Sequence, residues 1–266
     1  SLRFSCLGLP VALNMSKIHN KMQGNSFLKE KYHMKKYIFA TLLCIVSFDS
    51  FAQSRVGAFS LIPRLGVNVS TLRGYSYYYL QSQLEQTVEN KPVAKGSFTG
   101  GIDLMYQFTD VIGGSVGVFY SLQGCRYKEH EEHYDGGKKF YGVHNNAVNL
   151  HCLNVPLMLH GYVAEGLSVN VGLQVGFPLR AKWKYEWEEY TVDKNGKRTF
   201  REKGVFDANV TGNFKKVELA VPMGISYEYM NVVLDARYNL GITNIAKVDN
   251  VKDNSFMFTV GYKFDL

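Results

Sequence analysis

The chain ends in SFMFTVGYKFDL, residues 255–266, where Phe256, Phe258, Val260, Tyr262, Phe264 and Leu266 occupy every second position. Met257, Thr259, Gly261, Lys263 and Asp265 fill the gaps. A period of two puts the large apolar set on one face of a strand and the small or charged set on the other. Such a face needs a wide apolar partner, which is a second sheet, a helix layer or lipid. The same alternation recurs upstream. VVLDARYNLGI sets Val232, Leu234, Ala236, Tyr238 and Leu240 against Val233, Asp235, Arg237 and Asn239. KVELAVPMGISYEY sets Val217, Leu219, Val221, Met223, Ile225 and Tyr227 against Glu218, Pro222, Gly224, Ser226 and Glu228. LSVNVGLQVGFPL and SFTGGIDLMYQF repeat the pattern over 167–179 and 97–108, with Asn170, Gln174, Asp103 and Gln107 among the polar set. Segments near 57–69, 111–127 and 145–162 bring the number to eight. Runs of about ten residues with this pattern are the signature of transmembrane β-strands.

The connections sort by length. Thr109-Asp110, Ala164-Glu165-Gly166 and Met230-Asn231 are tight, whereas residues 70–96, 128–144, 181–212 and 245–253 form longer stretches. Long and short connections therefore alternate along the chain. A β-sandwich has no reason to sort loops by parity, because Greek-key crossovers mix their lengths. An up-and-down barrel with short turns on one side of a membrane and longer loops on the other requires it. The sequence thus predicts an all-β fold, an eight-stranded antiparallel up-and-down transmembrane β-barrel, with both termini periplasmic. Closure satisfies every backbone polar group inside a bilayer. Tyr106, Phe108, Tyr162, Tyr227, Tyr229 and Tyr262 fall near strand ends, where aromatic girdles belong.

The front of the chain agrees with export. MKKYIFATLLCIVSFDSFAQ has Lys35 and Lys36, an apolar run from Tyr37 to Phe48, and small residues at Ser50 and Ala52. This pattern predicts a signal peptide over 34–52, too short in its core to be a permanent span. Leu43 before Cys44 argues against a lipid anchor. Residues 1–33 carry no pattern and are expected to be an over-extended start, which leaves 53–266 as the barrel domain. Seven of the 30 basic and two of the 23 acidic residues precede residue 53. The remainder holds 23 basic against 21 acidic residues, a net charge of about +2. A nucleic-acid partner requires a basic footprint, and none is left.

Eight strands enclose an interior that side chains fill. The inward set expected from parity is Arg64, Asp103, Asn170, Gln174, Arg180, Glu218, Glu228, Asp235, Arg237 and Lys263, with Asp265 beside it. Charges of both signs in a confined lumen are expected to pair, making a polar plug. A proton or ion path through this network is the alternative. Glu218 with Glu228 is a conceivable catalytic carboxylate pair, but no cleft motif surrounds it. HEEHYD, residues 130–135, has its two His three apart and so breaks the HExxH zinc spacing. No GxSxG elbow is present for acyl chemistry. Catalytic and metal sites are therefore assigned to no residues, and no cofactor is expected. Cys125 and Cys152 are expected as buried thiols, since hairpin counting sets Cys125 opposite a residue nearer 147.

Loops are where binding residues concentrate. Tyr75, Tyr77, Tyr78 and Tyr79 cluster in one long loop, and Trp183, Tyr185 and Trp187 alternate with Lys184, Glu186 and Glu188 in another. The second set suggests that barrel strands continue past the membrane as a ribbon, closed by Asn195-Gly196 as a two-residue turn. These seven aromatics are the candidate anchors for a ligand or partner.

LNVPLMLHGY, residues 153–162, resembles the YLEIPLLLKY-type strand of PorT-like outer-membrane β-barrel proteins. RLGVNVSTL at 64–72 and RYNLGITNI at 237–245 are similar to their first and seventh strands. The resemblance implies an outer-membrane barrel and, for some relatives, a part in protein secretion. The leading expectation is a non-enzymatic barrel that displays binding loops. The others are an accessory component of an envelope secretion machine, and a rim-active enzyme. Expected partners are outer-membrane lipid, the barrel-assembly machinery during insertion, and an envelope protein.

Overall fold

The structure, a computed structural model, describes residues 56–81, 86–134, 139–247 and 250–266. The expected signal peptide and the segment before it lie outside the described residues. Thirteen strands follow in order: β1 (Phe59–Arg73), β2 (Tyr77–Gln81), β3 (Gln86–Asn90), β4 (Lys95–Gln107), β5 (Ile112–Arg126), β6 (His130–Tyr134) and β7 (Lys139–Ala164). Then come β8 (Leu167–Val192), β9 (Arg198–Asn209), β10 (Glu218–Tyr229), β11 (Val232–Gly241), β12 (Lys252–Tyr262) and β13 (Phe264–Asp265).

Eight of these close into a ring. The order is β1, β4, β5, β7, β8, β10, β11, β12 and back to β1, antiparallel throughout. The closing seam pairs β1 with β12 from Arg64↔Gly261 to Arg73↔Lys252. Here Gly66 lets the strands approach: an added Cβ would lie 1.9 Å from the Phe258 carbonyl oxygen. Short turns join β4 to β5, β7 to β8 and β10 to β11 at one end. In the last of these, Met230 (φ 46°) and Asn231 (φ 68°) both take left-handed conformations, as a type I′ hairpin turn demands.

Each ring strand has one apolar face turned outward. Leu65, Val67, Ile102, Val118, Leu157, Val171, Ile225, Phe258 and Val260 are all exposed. A continuous belt of such residues is a liability in water and the expected surface in lipid. Among the described residues no helix is long and apolar enough to cross a membrane. The crossing elements are the strands.

The interior is layered. At the short-turn end, Ile62, Met105 and Val233 pack together with Tyr162. Tyr162 therefore faces inward and does not belong to the outer girdle the sequence suggested, because it shares the parity of buried Met158 and His160. Polar side chains occupy the middle. At the long-loop end, Leu72, Cys125, Tyr127, Val148, Leu150, Cys152, Ala181, Phe214, Ile245, Ala246 and Val251 form an apolar lid. Both cysteines are free and buried in it, with Cys125 opposite Val148 and Cys152 opposite Ser121.

Strands β7 and β8 are 26 residues each, more than twice the 12 of β10, so they run on past the ring. There β6 joins the edge of β7 and β9 the edge of β8, giving a four-stranded ribbon. The β8–β9 turn differs from the two-residue turn expected at Asn195-Gly196. Gly196 N donates to Asp193 O, which puts Lys194 and Asn195 at the centre, and Gly196 takes the following left-handed position at φ 78°. Asp193 Oδ1 accepts from the amides of Asn195 and Lys197 and fixes this arrangement.

Candidate functional site

The lumen is built by period-two alternation on all eight ring strands, and it gathers nine of the ten residues the sequence assigned to it. Arg64, Asp103, Asn170, Gln174, Glu218, Glu228, Asp235, Arg237 and Lys263 are buried. Arg180 is exposed. The pairing explains this: Cys152 lies opposite Pro178 and His151 opposite Arg180, so Leu179 is an extra residue in β8. Pro178 has no N–H for the ladder, and the bulge beside it reverses the parity of everything that follows. Asp265 is exposed at the rim, where it accepts from buried Ser60 Oγ at 2.7 Å.

Asp235 is the hub of the charge network. Its Oδ2 accepts from Ser226 Oγ at 2.8 Å and faces Arg64 and Arg237, each at 3.3 Å. Arg64 Nε also lies 2.9 Å from Asp103 Oδ2. The N–H points off that line, so this contact is an ion pair without a directed hydrogen bond. From Ser226 the network continues through Asn170 Nδ2, a donor to Ser226 Oγ. Asn170 Oδ1 accepts from Ser168 Oγ and lies 2.8 Å from His160 Nδ1. An amide oxygen can only accept, so His160 carries its proton on Nδ1, and Nε2 accepts from Ser115 Oγ at 2.8 Å. Nearer the short turns, Lys263 Nζ reaches both oxygens of Glu228, at 2.6 and 2.7 Å. Glu218 sits at the other end of β10, and the proposed Glu218–Glu228 carboxylate pair does not exist. His160, Ser115, Ser226 and Asp253 are among the further buried polar residues that the sequence reading did not assign to the lumen. Strand parity would have found the first three; Asp253 was hidden by reading 245–253 as loop.

The loop aromatics divide into two groups. Tyr77 is held in the lid: its hydroxyl accepts from Asn90 Nδ2 at 3.0 Å and Asn146 Nδ2 at 2.8 Å. Its ring meets Tyr127 edge-on at 4.8 Å. Burial pushes its pKa up to about 12, against the lowering effect of the two amides, so it stays a neutral phenol. Tyr75 packs against the apolar lid, and so does Trp183, whose Nε1 donates to Asn146 Oδ1 at 2.7 Å. Tyr79 lies over His130 at 4.0 Å, while Tyr78 is exposed. On the ribbon Tyr185 stacks on Phe206 at 4.7 Å and Trp187 on Tyr141 at 5.5 Å. Tyr75, Tyr77 and Trp183 are thus structural, and the other four reach the surface, Tyr78 exposed and Tyr79, Tyr185 and Trp187 half-buried.

The ribbon also carries a hollow of about 620 Å³ whose lining includes Glu129, His144, Glu186, Trp187, Glu188 and Lys203. His144 lies 3.3 Å from Glu129 and 3.3 Å from Glu188. Partial burial opposes its charging, but the hydrogen bonds and charges of the two glutamates outweigh that and raise its pKa. Among the described residues no group of three or more His, Cys, Asp or Glu has a metal-binding arrangement.

A closed ring with a lipid-compatible exterior and a filled interior defines an integral membrane β-barrel. Residues 51–247 match the model of the outer membrane protein beta-barrel domain, and the chain belongs to this family of the outer membrane. No curated protein matches the chain. Among solved structures, Ail, the attachment invasion locus protein of Yersinia pestis, is 16% identical with a TM-score of 0.39, covering 79% of this chain and 100% of that one. Neisserial surface protein A gives 14% identity and a TM-score of 0.38, covering 78% and 99%. OprG from Pseudomonas aeruginosa gives 15% and 0.34, covering 79% and 97%.

Proposed function

We propose that this protein is a non-enzymatic outer-membrane scaffold that holds a binding ribbon outside the cell, with both termini in the periplasm. The observation that carries this reading is the ribbon itself. It stands beyond the lipid belt, yet Phe200, Val205 and Phe206 on its edge strand β9 are exposed. Among the described residues β9 pairs only with β8, and none of them covers its second edge. Exposed apolar side chains on an unpaired edge favour association with another protein. The short turns at the opposite end suit the periplasmic side. Lipid around the belt and the assembly machinery during insertion are the other expected partners. The likeness of 153–162 to PorT-like strands favours a second reading, an accessory role in an envelope secretion machine. No constellation among the described residues favours a rim-active enzyme.

The test joins β8 to β9 directly by deleting Glu186–Val205. The shortened barrel should still migrate in a heat-modifiable way, and intact cells should lose accessible labelling at this site. Partners cross-linked to the full-length protein should also disappear. Envelope proteins recovered in fixed ratio would favour the secretion-machine reading. Retention of all partners by the shortened barrel would overturn the ribbon's role.

A further inference from the structure

Charge is sorted by end of the barrel. At the short-turn end the exposed charged side chains among the described residues are Asp110, Glu165 and Asp265, all carboxylates. At the long-loop end the first outward charges above the apolar belt include Arg73, Arg126, Arg180 and Lys252, all cations. Arg73 and Lys252 even stand directly opposite each other across the seam, a like-charge pair that is destabilising on its own.

Strands β4, β5, β7 and β8 concentrate this charge in one place. Cys125, Tyr127, Leu150, Cys152 and Ala181 pack into the lid, so their neighbours Arg126, Asn149, His151, Arg180 and Lys182 point outward. Arg126, Ala147 and Lys184 share one rung across β5, β7 and β8. Asn149 and Lys182 lie on the next rung towards the belt, and His151 and Arg180 below them. The bulge at Leu179 brings these β8 cations out; without it Ala181 and Trp183 would take the outer face. Strands β4 and β5 part above Thr99↔Ser121 and meet again at Val93↔Arg126. From that opening Lys95 Nζ crosses to donate to Asn149 Oδ1. Here Lys95, Arg126, Lys128 and Ala147 line a hollow of about 630 Å³. Its carboxylate, Glu129, already faces His144 at 3.3 Å, and Asp207 takes Lys182 at 3.1 Å. Towards the membrane the next rung is apolar, Tyr120, Leu153 and Phe177, with Val116, Leu157 and Leu173 beyond it.

We propose that Lys95, Arg126, Arg180 and Lys182 bind a phosphate of the phosphorylated glycolipid of the outer leaflet, whose acyl chains lie on the belt beneath. Arginine and lysine give phosphate charge-assisted hydrogen bonds, and basic pockets at a membrane surface hold anionic headgroups. The apolar rungs directly below the cations favour a lipid over a free anion, because only an amphipathic ligand meets both. The bulge at Leu179 then has a role beyond the ladder: it turns three cations from the lumen to the lipid. This inference rests on the long-loop end lying outside. Purified barrels bind without regard to orientation, so its test stands apart from the surface labelling that reads orientation.

The probes are bisphosphorylated lipid A, the same lipid stripped of both phosphates, and inorganic phosphate. Each is titrated into folded barrels in a non-ionic detergent and scored by native mass spectrometry. Wild-type protein should hold the bisphosphorylated lipid more than about ten-fold tighter than the stripped one, as loss of charge-assisted bonds to phosphate requires. Inorganic phosphate at equal concentration should not displace it. Arg126→Gln combined with Arg180→Gln changes two exposed side chains, so heat-modifiable migration should persist while lipid binding weakens about ten-fold. Arg73→Gln combined with Lys252→Gln, across the ring, should leave binding close to wild type. Equal affinity of the wild-type barrel for the two lipids would overturn the proposal, whatever the variants do. An equal loss from both pairs of substitutions would mean diffuse attraction to a basic rim, and the site would fall. Displacement by inorganic phosphate at equal concentration would show an anion site that does not select lipid, and would also overturn it.

Discussion

Adjacent residues of β12 live in different solvents. Val260 is 55% exposed on the lipid face, whereas Thr259 is 3% exposed in the lumen opposite Asp235. An Arg on the lipid face near the bilayer midplane costs about 2–4 kcal/mol. Val260→Arg should therefore lower stability by that amount in urea-dependent folding into vesicles. The Thr259 hydroxyl is buried with no partner, so removing it strands no other group. Thr259→Ala should fall within about 1 kcal/mol of wild type, since loss of an unsatisfied polar group is close to neutral. A larger loss at 259 than at 260 would reverse the assignment of faces. This alternation was legible in the sequence because a period of two needs no tertiary information.

Elements were less legible wherever the period slips. Arg180 was misplaced because the bulge at Leu179 exists only in the pairing of β8 with β7, and sequence alone does not show the partner strand. The closing seam is similar: Gly66 looks ordinary until β1 meets β12. Its missing side chain is where Phe258 O and Thr259 Cα approach, at 1.9 and 2.7 Å. Both are backbone atoms and cannot swing away. Gly66→Ala should cost more than the about 1–3 kcal/mol typical of overpacking, and the heat-modifiable folded band should be largely lost. If the band persists at wild-type intensity, the seam is looser than this register. The ribbon's attachment depends on pH through His144. Its pKa is raised in the folded chain, so the stability it contributes is full below its ordinary value near 6.5 and is lost as pH rises through the higher folded value. Limited proteolysis near Glu129 should accelerate over that window, and His144→Gln should abolish the pH dependence. A wild-type rate that is flat across the window would disprove the link.

For the whole molecule the open question is whether the barrel conducts. Parity anticipated the polar plug but not the apolar lid. Its members Leu72, Cys125, Leu150, Ala181, Phe214, Ile245 and Val251 come from six separate stretches of the chain, none of which resembles a cap by itself. Three barriers therefore stand in series: the lid, the paired charges around Asp235, and the Ile62, Met105 and Val233 cluster at the far end. An ion must pass all three. Barriers in series are not removed by opening one, which distinguishes this arrangement from a channel with a single gate. Wild-type protein in planar bilayers should show no sustained conductance, as expected for a barrel whose side chains fill it. The same should hold for Phe214→Ala, which thins the lid but leaves the charge network and the far cluster intact. Combining Phe214→Ala with Asp235→Asn removes the hub of the second barrier as well. Brief openings should then appear, limited by the far cluster. Steady, ion-selective current through the wild-type barrel, altered by Asp235→Asn alone, would mean that the charge network is a conduction path and that neither apolar layer closes it.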